Sequence, residues 1–373
     1  MKKIKVLSVF GTRPEAIKMA PLILEFEKHA EIESKVLITA QHREMLDQVL
    51  HIFDIKPDYD LDLMKHGQTI TDITNGVLRG VGEILLEYKP DIMLVHGDTT
   101  TTFAAALAAF YQQVTVGHVE AGLRTWNIYS PYPEEMNRQL TGRLSTYHFA
   151  PTAQNRENLL SENVSDDKII VTGNTVIDAL YHVVQKEHVF EDEALRQIDF
   201  DKEKVILMTC HRRENWGEPM ERIFSAIKRI ALEYPTHRVV FPMHKNPKIR
   251  EIANRILAGE KNITLIEPLD YQPFAKLMGL SYLILTDSGG IQEEAPGLGK
   301  PVIVLRTETE RPEAVAAGTV KIGGTDSEQL YREIKNLLDD SAEYQKMAKA
   351  SNPYGDGKAS ERIVKHIIQE FTK

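Results

Sequence analysis

Residues 283–295 read Leu-Ile-Leu-Thr-Asp-Ser-Gly-Gly-Ile-Gln-Glu-Glu-Ala. A short apolar run ends in a polar pair and two glycines, and a helix-forming run follows. With no Cβ at Gly289 or Gly290, backbone N–H groups in such a turn can be approached closely, and a helix start adds the positive end of its dipole. The stretch therefore predicts a strand, a diphosphate cradle at Ser288, Gly289 and Gly290, and a helix. Glu294, one helical turn further on, is placed to accept hydrogen bonds from a ribose diol. The plain alternative is a strand–helix turn without a ligand.

The same strand-then-helix pattern recurs on both sides. Segments 205–209, 238–242, 263–266 and 302–305 are short and β-branched, and amphipathic stretches separate them. A similar series occupies 4–10, 35–39, 92–96, 114–119 and 147–150. Continuous apolar strands of this kind belong to parallel sheets covered on both faces. The expected fold class is α/β, with two doubly wound Rossmann-like domains facing a cleft, and the chain of 373 residues has the length for two. The turn Gly173–Asn174 separates the two series, and the charged, helical 176–200 connects them. The run 352–357, Asn-Pro-Tyr-Gly-Asp-Gly, breaks a helix, and a last amphipathic helix runs from about Ala359 to Phe371.

Composition removes several classes of function. The 45 Lys and Arg stand against 54 Asp and Glu, so the net charge of −9 opposes a nucleic-acid footprint over the whole surface. An anionic ligand has to be met by local cations. The single cysteine, Cys210, excludes an intrachain disulfide and a multi-cysteine zinc site, and points to a cytoplasmic location. Residues 1–10 read as a buried strand rather than a cleaved leader, and no apolar run reaches the roughly 18–20 residues of a membrane span.

In open α/β sheets ligands bind at the carboxyl ends of strands, so the segments after each strand carry the candidates. After the first strand, Gly11-Thr12-Arg13-Pro14 opens a helix, and Arg13 and Lys18 set two cations near its N-terminus. This is neither the three-glycine dinucleotide fingerprint nor a Walker A loop. His96-Gly97-Asp98 follows the strand 92–96. Asp98 is either a helix cap or a catalytic carboxylate, and with no Gly-Asn-His fragment downstream no metal site is expected. Glu120 ends the strand 114–119. Glu134 and Arg138, four residues apart on one helix, read singly as an ordinary salt bridge. Together with Asp98 and Glu120, Glu134 makes a set of three carboxylates that could remove a proton on one face of a substrate and return one on the other.

In the second half, His211 follows a strand end among the cations Arg212 and Arg213, which favours its neutral form. His244 and Lys245 repeat the pattern after the next strand. Arg311 follows the strand 302–305 and can offset diphosphate charge. Cys210 has no identified base and reads as a packed thiol as readily as a nucleophile.

Taken in order, FGTRPEAIKMAP, TAQHREML, LVHGDTTTT, GHVEAGLRT, PEEMNRQLTG, GNTVIDAL, CHRRE, LTDSGGIQEEAPGLGKPV, ERPEAV and NPYGDG resemble the non-hydrolysing UDP-N-acetylglucosamine 2-epimerases of bacteria over nearly the whole chain. The resemblance implies a glycosyltransferase-B-type fold and interconversion of UDP-GlcNAc and UDP-ManNAc, the latter supplying ManNAc for cell-surface polysaccharide. It implies an N-terminal domain of 1–173 plus 354–373, a UDP-binding domain of 174–353, no metal or redox cofactor, and a homodimer. Asp98, Glu120 and Glu134 match the family's catalytic carboxylates and His211 its active-site histidine. Arg13, Lys18, His244, Ser288, Gly289, Gly290, Glu294 and Arg311 match nucleotide-binding positions, with Phe274 near the uracil and Arg138 in the substrate-binding set. Gln41, His42, Gln68 and Arg212 match parts of a second UDP-GlcNAc site that activates some members, although Gly67 stands where some of these have arginine.

The implied reaction eliminates UDP to give 2-acetamidoglucal and then re-adds it, which avoids a free carbanion at a carbon not adjacent to a carbonyl. Rival readings are a glycosyltransferase on the same fold, a hydrolysing epimerase, and a UDP-sugar sensor without turnover.

Overall fold

The structure, a computed structural model, describes residues 2–40, 43–64 and 67–372. Strands β1 (Ile4–Phe10), β2 (Ile32–Ile38), β3 (Tyr59–Asp60), β4 (Ile92–His96), β5 (Thr115–Val119), β6 (Tyr147–Ala150) and β7 (Ile169–Val171) form one sheet. Its order is β3-β2-β1-β4-β5-β6-β7 and every pairing is parallel. Strands β8 (Lys204–Thr209), β9 (His237–Pro242), β10 (Ile263–Ile266), β11 (Leu283–Thr286), β12 (Val302–Val304) and β13 (Val320–Ile322) form a second. It runs β10-β9-β8-β11-β12-β13, again parallel throughout.

The chain divides into two compact units, Met1–His182 with Tyr354–Lys373, and Val183–Pro353. The division falls inside the helix Thr175–Gln185, past the Gly173–Asn174 turn. The last helix, Ala359–Phe371, packs against the helix Arg13–Phe26 in the first unit. Its first N–H groups are capped from outside: Asp178 accepts from Ala359 at 3.2 Å and from Ser360 at 2.8 Å.

Burial on both faces explains the apolar runs. Val6, Leu7, Val9 and Phe10 of β1 and Ile92 to Val95 of β4 are fully buried, as are Val205 to Met208 of β8 and Leu283 to Leu285 of β11. The helix Thr100–Tyr111 presents Ala104, Ala105, Ala108 and Ala109, all buried, so it lies close against its sheet. In the second unit Phe224 meets Phe241 edge-on at 5.5 Å.

Both sheets reverse their winding between the first and fourth strands of their own series, β1 beside β4 and β8 beside β11. The loops leaving these strands diverge to opposite faces and open a crevice at the carboxyl ends. Sequence patterning misses β3, β7 and β13. All three are partly exposed sheet edges of three residues or fewer, too short to stand out as strands from the polar residues that flank them.

Candidate active site

In the first unit, Gly11 follows β1 and its lack of a side chain is required. A Cβ there would collide with the hydroxyls of Thr39 and Thr101, which lie 3.0 Å from each other. The buried Glu15 reaches back to accept from the Gly11 and Thr12 N–H groups at 3.1 and 2.8 Å. Its other oxygen accepts from the Thr99 and Thr102 hydroxyls at 2.7 and 3.1 Å. One carboxylate thus braces the loops after β1 and β4. Arg13, exposed, stands on this braced turn.

Glu120 follows β5 with φ of 61°, a left-handed conformation that costs a non-glycine residue on the order of 1 kcal/mol. Its Oε1 takes the Lys18 ammonium at 2.5 Å and the Asn174 amide at 3.0 Å, and its Oε2 lies 3.1 Å from His96 Nε2. Burial pushes the Glu120 carboxyl up, but Lys18 and His96 outweigh it and hold the group well below the usual carboxylate range. Glu120 is therefore ionised at neutral pH.

Beneath this loop His118 is fully buried, and its Nε2 donates to the Gly97 carbonyl at 2.7 Å. Burial drives its basicity down to about 3, so it stays neutral. Asp98, next to Gly97, receives the Arg138 guanidinium at 2.5 Å, and its carbonyl accepts from the Asn137 amide at 3.0 Å. Both donors come from the helix Glu134–Leu144, so Asp98 is tied to the element that begins at Glu134.

The salt bridge expected between Glu134 and Arg138 is not the one formed. Arg138 divides itself between Asp98 and Glu135, the latter at 3.2 Å. Glu135 is fully buried and also accepts from the Thr125 and Trp126 N–H groups at 3.0 and 3.2 Å, fixing the preceding loop. Glu134, at the start of that helix, keeps a buried Oε2 that has no hydrogen-bond partner among the described residues.

In the second unit the organiser is Asp287, fully buried at the end of β11. Its Oδ2 accepts from the His211 and Arg212 N–H groups, each at 2.8 Å, and from the Asn215 amide at 3.1 Å. His211 Nδ1 lies 3.3 Å from Asp287 Oδ1. The carboxylate therefore fixes both the loop after β8 and the histidine on it. Burial lowers the His211 pKa, Asp287 partly offsets this, and His244 and Arg212 lower it further. The His211 and His244 rings stack at 5.8 Å, and His244 Nδ1 accepts from the Asn246 N–H at 3.1 Å. A cavity of about 570 Å³ is lined by His211, Arg212, Trp216 and His244 among others.

The Ser288–Gly290 turn opens the helix Gly289–Gly297, and the side chain of its N-cap Ser288 makes no capping hydrogen bond among the described residues. A Cβ on Gly289 would stand 3.7 Å from the Arg311 guanidinium carbon and 3.9 Å from Arg212 Nη2. Two cations therefore border the glycine, and Arg311 is steadied by the buried Glu293 at 2.5 Å. Glu294 is half-buried. Near it, Tyr271 keeps a buried hydroxyl with no partner among the described residues, its pKa pushed up by burial and by the Glu294 charge. Phe274 is on the same helix as Tyr271, Tyr271–Leu280. This half can receive an anion.

Cys210 is a packed thiol: burial raises its pKa, and the Asn215 amide donates to its sulfur at 3.9 Å. Gln68 donates to the Leu63 carbonyl at 2.6 Å in the first unit, and Arg212 belongs to the second. Gln41 and His42 lie outside the described residues. Sequence reasoning missed Glu15, Asn174 and Asp287 as site residues. The Thr-x-x-Glu spacing of 12–15 is a capping-box signal that could have found the first. Asp287 was legible only as a turn residue, and nothing local marks Asn174.

A family model described as UDP-N-acetylglucosamine 2-epimerase matches residues 24–368. A Bacillus subtilis UDP-N-acetylglucosamine 2-epimerase is 58% identical over 371 residues, covering 100% of this chain and 97% of that one. Among solved structures, Neisseria meningitidis UDP-GlcNAc 2-epimerase bound to UDP-GlcNAc is similar with a TM-score of 0.85 and 55% identity, over 98% of this chain and 100% of the other. Staphylococcus aureus MnaA in complex with UDP matches with a TM-score of 0.85 and 51% identity, over 100% and 97%.

Proposed function

The chain belongs to the UDP-N-acetylglucosamine 2-epimerase family of isomerases, and we propose that it inverts carbon 2 of UDP-GlcNAc by eliminating and re-adding UDP. In the first half-reaction the C2–H bond breaks and its proton passes to a carboxylate. The electron pair of that bond forms the C1–C2 double bond, and the C1–O pair leaves with UDP. Re-addition reverses these movements with the proton delivered to the other face, giving UDP-ManNAc.

Asp98, Glu120 and Glu134 are assigned to proton transfer, Arg138 to holding Asp98, and Lys18 to keeping Glu120 charged. Arg13, His211, Arg311 and the Ser288–Gly290 amides are assigned to the departing diphosphate, where they concentrate positive potential as negative charge grows. Glu294 is assigned to the ribose and Phe274 to the uracil. The observation carrying this reading is the unequal state of the three carboxylates. Glu120 is held ionised by Lys18, Asp98 is paired with Arg138, and Glu134 retains a buried oxygen with no partner among the described residues. Groups in such different environments can take different protonation roles in one turnover.

The test is turnover of UDP-GlcNAc in deuterated water followed by NMR. Deuterium at carbon 2 of both epimers is the expected result. Inversion with the original hydrogen retained would overturn the elimination course, and release of free sugar would favour a hydrolytic one.

A further inference from the structure

The Glu120 carboxylate meets side chains from three separate segments. Lys18 comes from the helix Arg13–Phe26 and His96 from the end of β4; Asn174 belongs to neither a strand nor a helix. Asn174 is buried, and both ends of its side chain are committed. Its Oδ1 accepts from the Val176 N–H at 3.1 Å, which settles which end of the amide is the NH2 group. That group then donates to Glu120 Oε1 at 3.0 Å.

The backbone of Asn174 is committed as well. Its N–H donates to the Tyr354 carbonyl at 2.7 Å. Next to it, Gly173 and Gly355 have φ of 90° and 129°, and a Cβ on either would come within 3.3 Å of the other's Cα. Segments 173–174 and 354–355 therefore lie directly against one another. The first is where the chain enters the helix containing the unit boundary, and the second is where it rejoins the first unit.

We infer that Asn174 is a positioning residue for the epimerisation, orienting the Glu120 carboxylate and tying it to the crossing of segments 173–174 and 354–355. The inference rests on the assignment of Glu120 to proton transfer. A donor held against one carboxylate oxygen favours the charged form and leaves the other oxygen in a fixed direction. Because Glu120 sits on a left-handed residue, its side chain has no regular element to orient it, and the amide supplies that constraint from outside.

Two variants separate this role from a structural one. Asn174→Asp keeps the shape and the acceptor for Val176 but sets a second carboxylate against Glu120. Asn174→Ser keeps a short oxygen beside Val176 and withdraws the amide NH2 from Glu120, its hydroxyl ending one atom short of that donor. Lys18 and His96 are unchanged in both. We expect kcat to fall about tenfold or more in the serine variant and about 100-fold in the aspartate variant, with KM for UDP-GlcNAc within about threefold of the unmodified enzyme. Losing a donor, or gaining a neighbouring anion, destabilises the carboxylate form. The acid limb of the kcat/KM profile should therefore move to higher pH by about one unit with serine and further with aspartate.

Unmoved acid limbs in both variants, unchanged kcat, or an effect confined to KM would overturn the inference. Thermal unfolding reports whether each variant folds, and if the aspartate variant does not, the serine variant carries the test. Deuterium entry in the unmodified enzyme tests the elimination course separately, so failure of that course and failure of the Asn174 role give different results.

Discussion

The two sheets wind in the same order, yet the loops at the carboxyl ends of their strands carry opposite chemistry. In the first unit those loops hold carboxylates already matched to partners: Glu120 with Lys18, Asp98 with Arg138, and Glu15 with two N–H groups and two hydroxyls. In the second unit a single buried carboxylate, Asp287, uses main-chain donors to shape a loop of cations, beside a helix start whose N-cap side chain makes no capping hydrogen bond among the described residues. Winding fixes where the loops emerge, and the two or three residues after each strand fix what they can bind. One set is suited to moving protons and the other to holding an anion.

The largest effect that tests this division is expected from Glu120→Gln. It keeps the shape of the side chain but removes its charge, and should lower kcat by about 10²–10⁴-fold. UDP affinity, measured by calorimetry, should stay within about threefold of the unmodified protein. If affinity fell as far as turnover, the division of labour would be wrong.

Asp287→Ala should act the other way round. It strands the N–H groups of His211 and Arg212 and the Asn215 amide, each at a cost of about 1–3 kcal/mol where no water replaces the carboxylate. UDP binding should weaken by at least about tenfold and the melting temperature should drop. A variant of unaltered stability and affinity would remove Asp287 as organiser of that loop.

The smallest effect is a pH dependence. His211 has its pKa lowered, chiefly by burial, and a diphosphate placed beside it favours the protonated ring. Binding then takes up a proton, so affinity should rise as pH falls from about 8 through the ordinary histidine pKa of about 6.5. The gain is limited to about tenfold for each unit by which the ligand raises that pKa. UDP-GlcNAc is the right probe because its diphosphate diester does not itself titrate there. His211→Asn should flatten the dependence. A slope that survives the substitution would assign the proton to another group.

Much of this was legible in the chain itself. Apolar runs buried on both faces gave β1, β4, β6 and β11 to the residue, and the Gly-rich turn at 288–290 and the carboxylates after β4 and β5 followed from strand ends. The partners of those groups were not legible. Arg138 looks like the companion of Glu134 because helix spacing is a local rule, but Asp98 reaches it from another loop at 2.5 Å. Lys18 looks like a free cation for phosphate and is instead found on Glu120.

Periodicity and the residue types after each strand therefore determined the fold class and the chemical kind of each loop, since both depend on neighbours within a few positions. Tertiary structure alone decided the charge state of Glu120, the binding of Arg138 to Asp98 and the bracing by Glu15, Asn174 and Asp287. Each joins groups far apart in sequence, and hydrogen bonding and Coulomb attraction act through a few ångströms of space, whatever the distance along the chain.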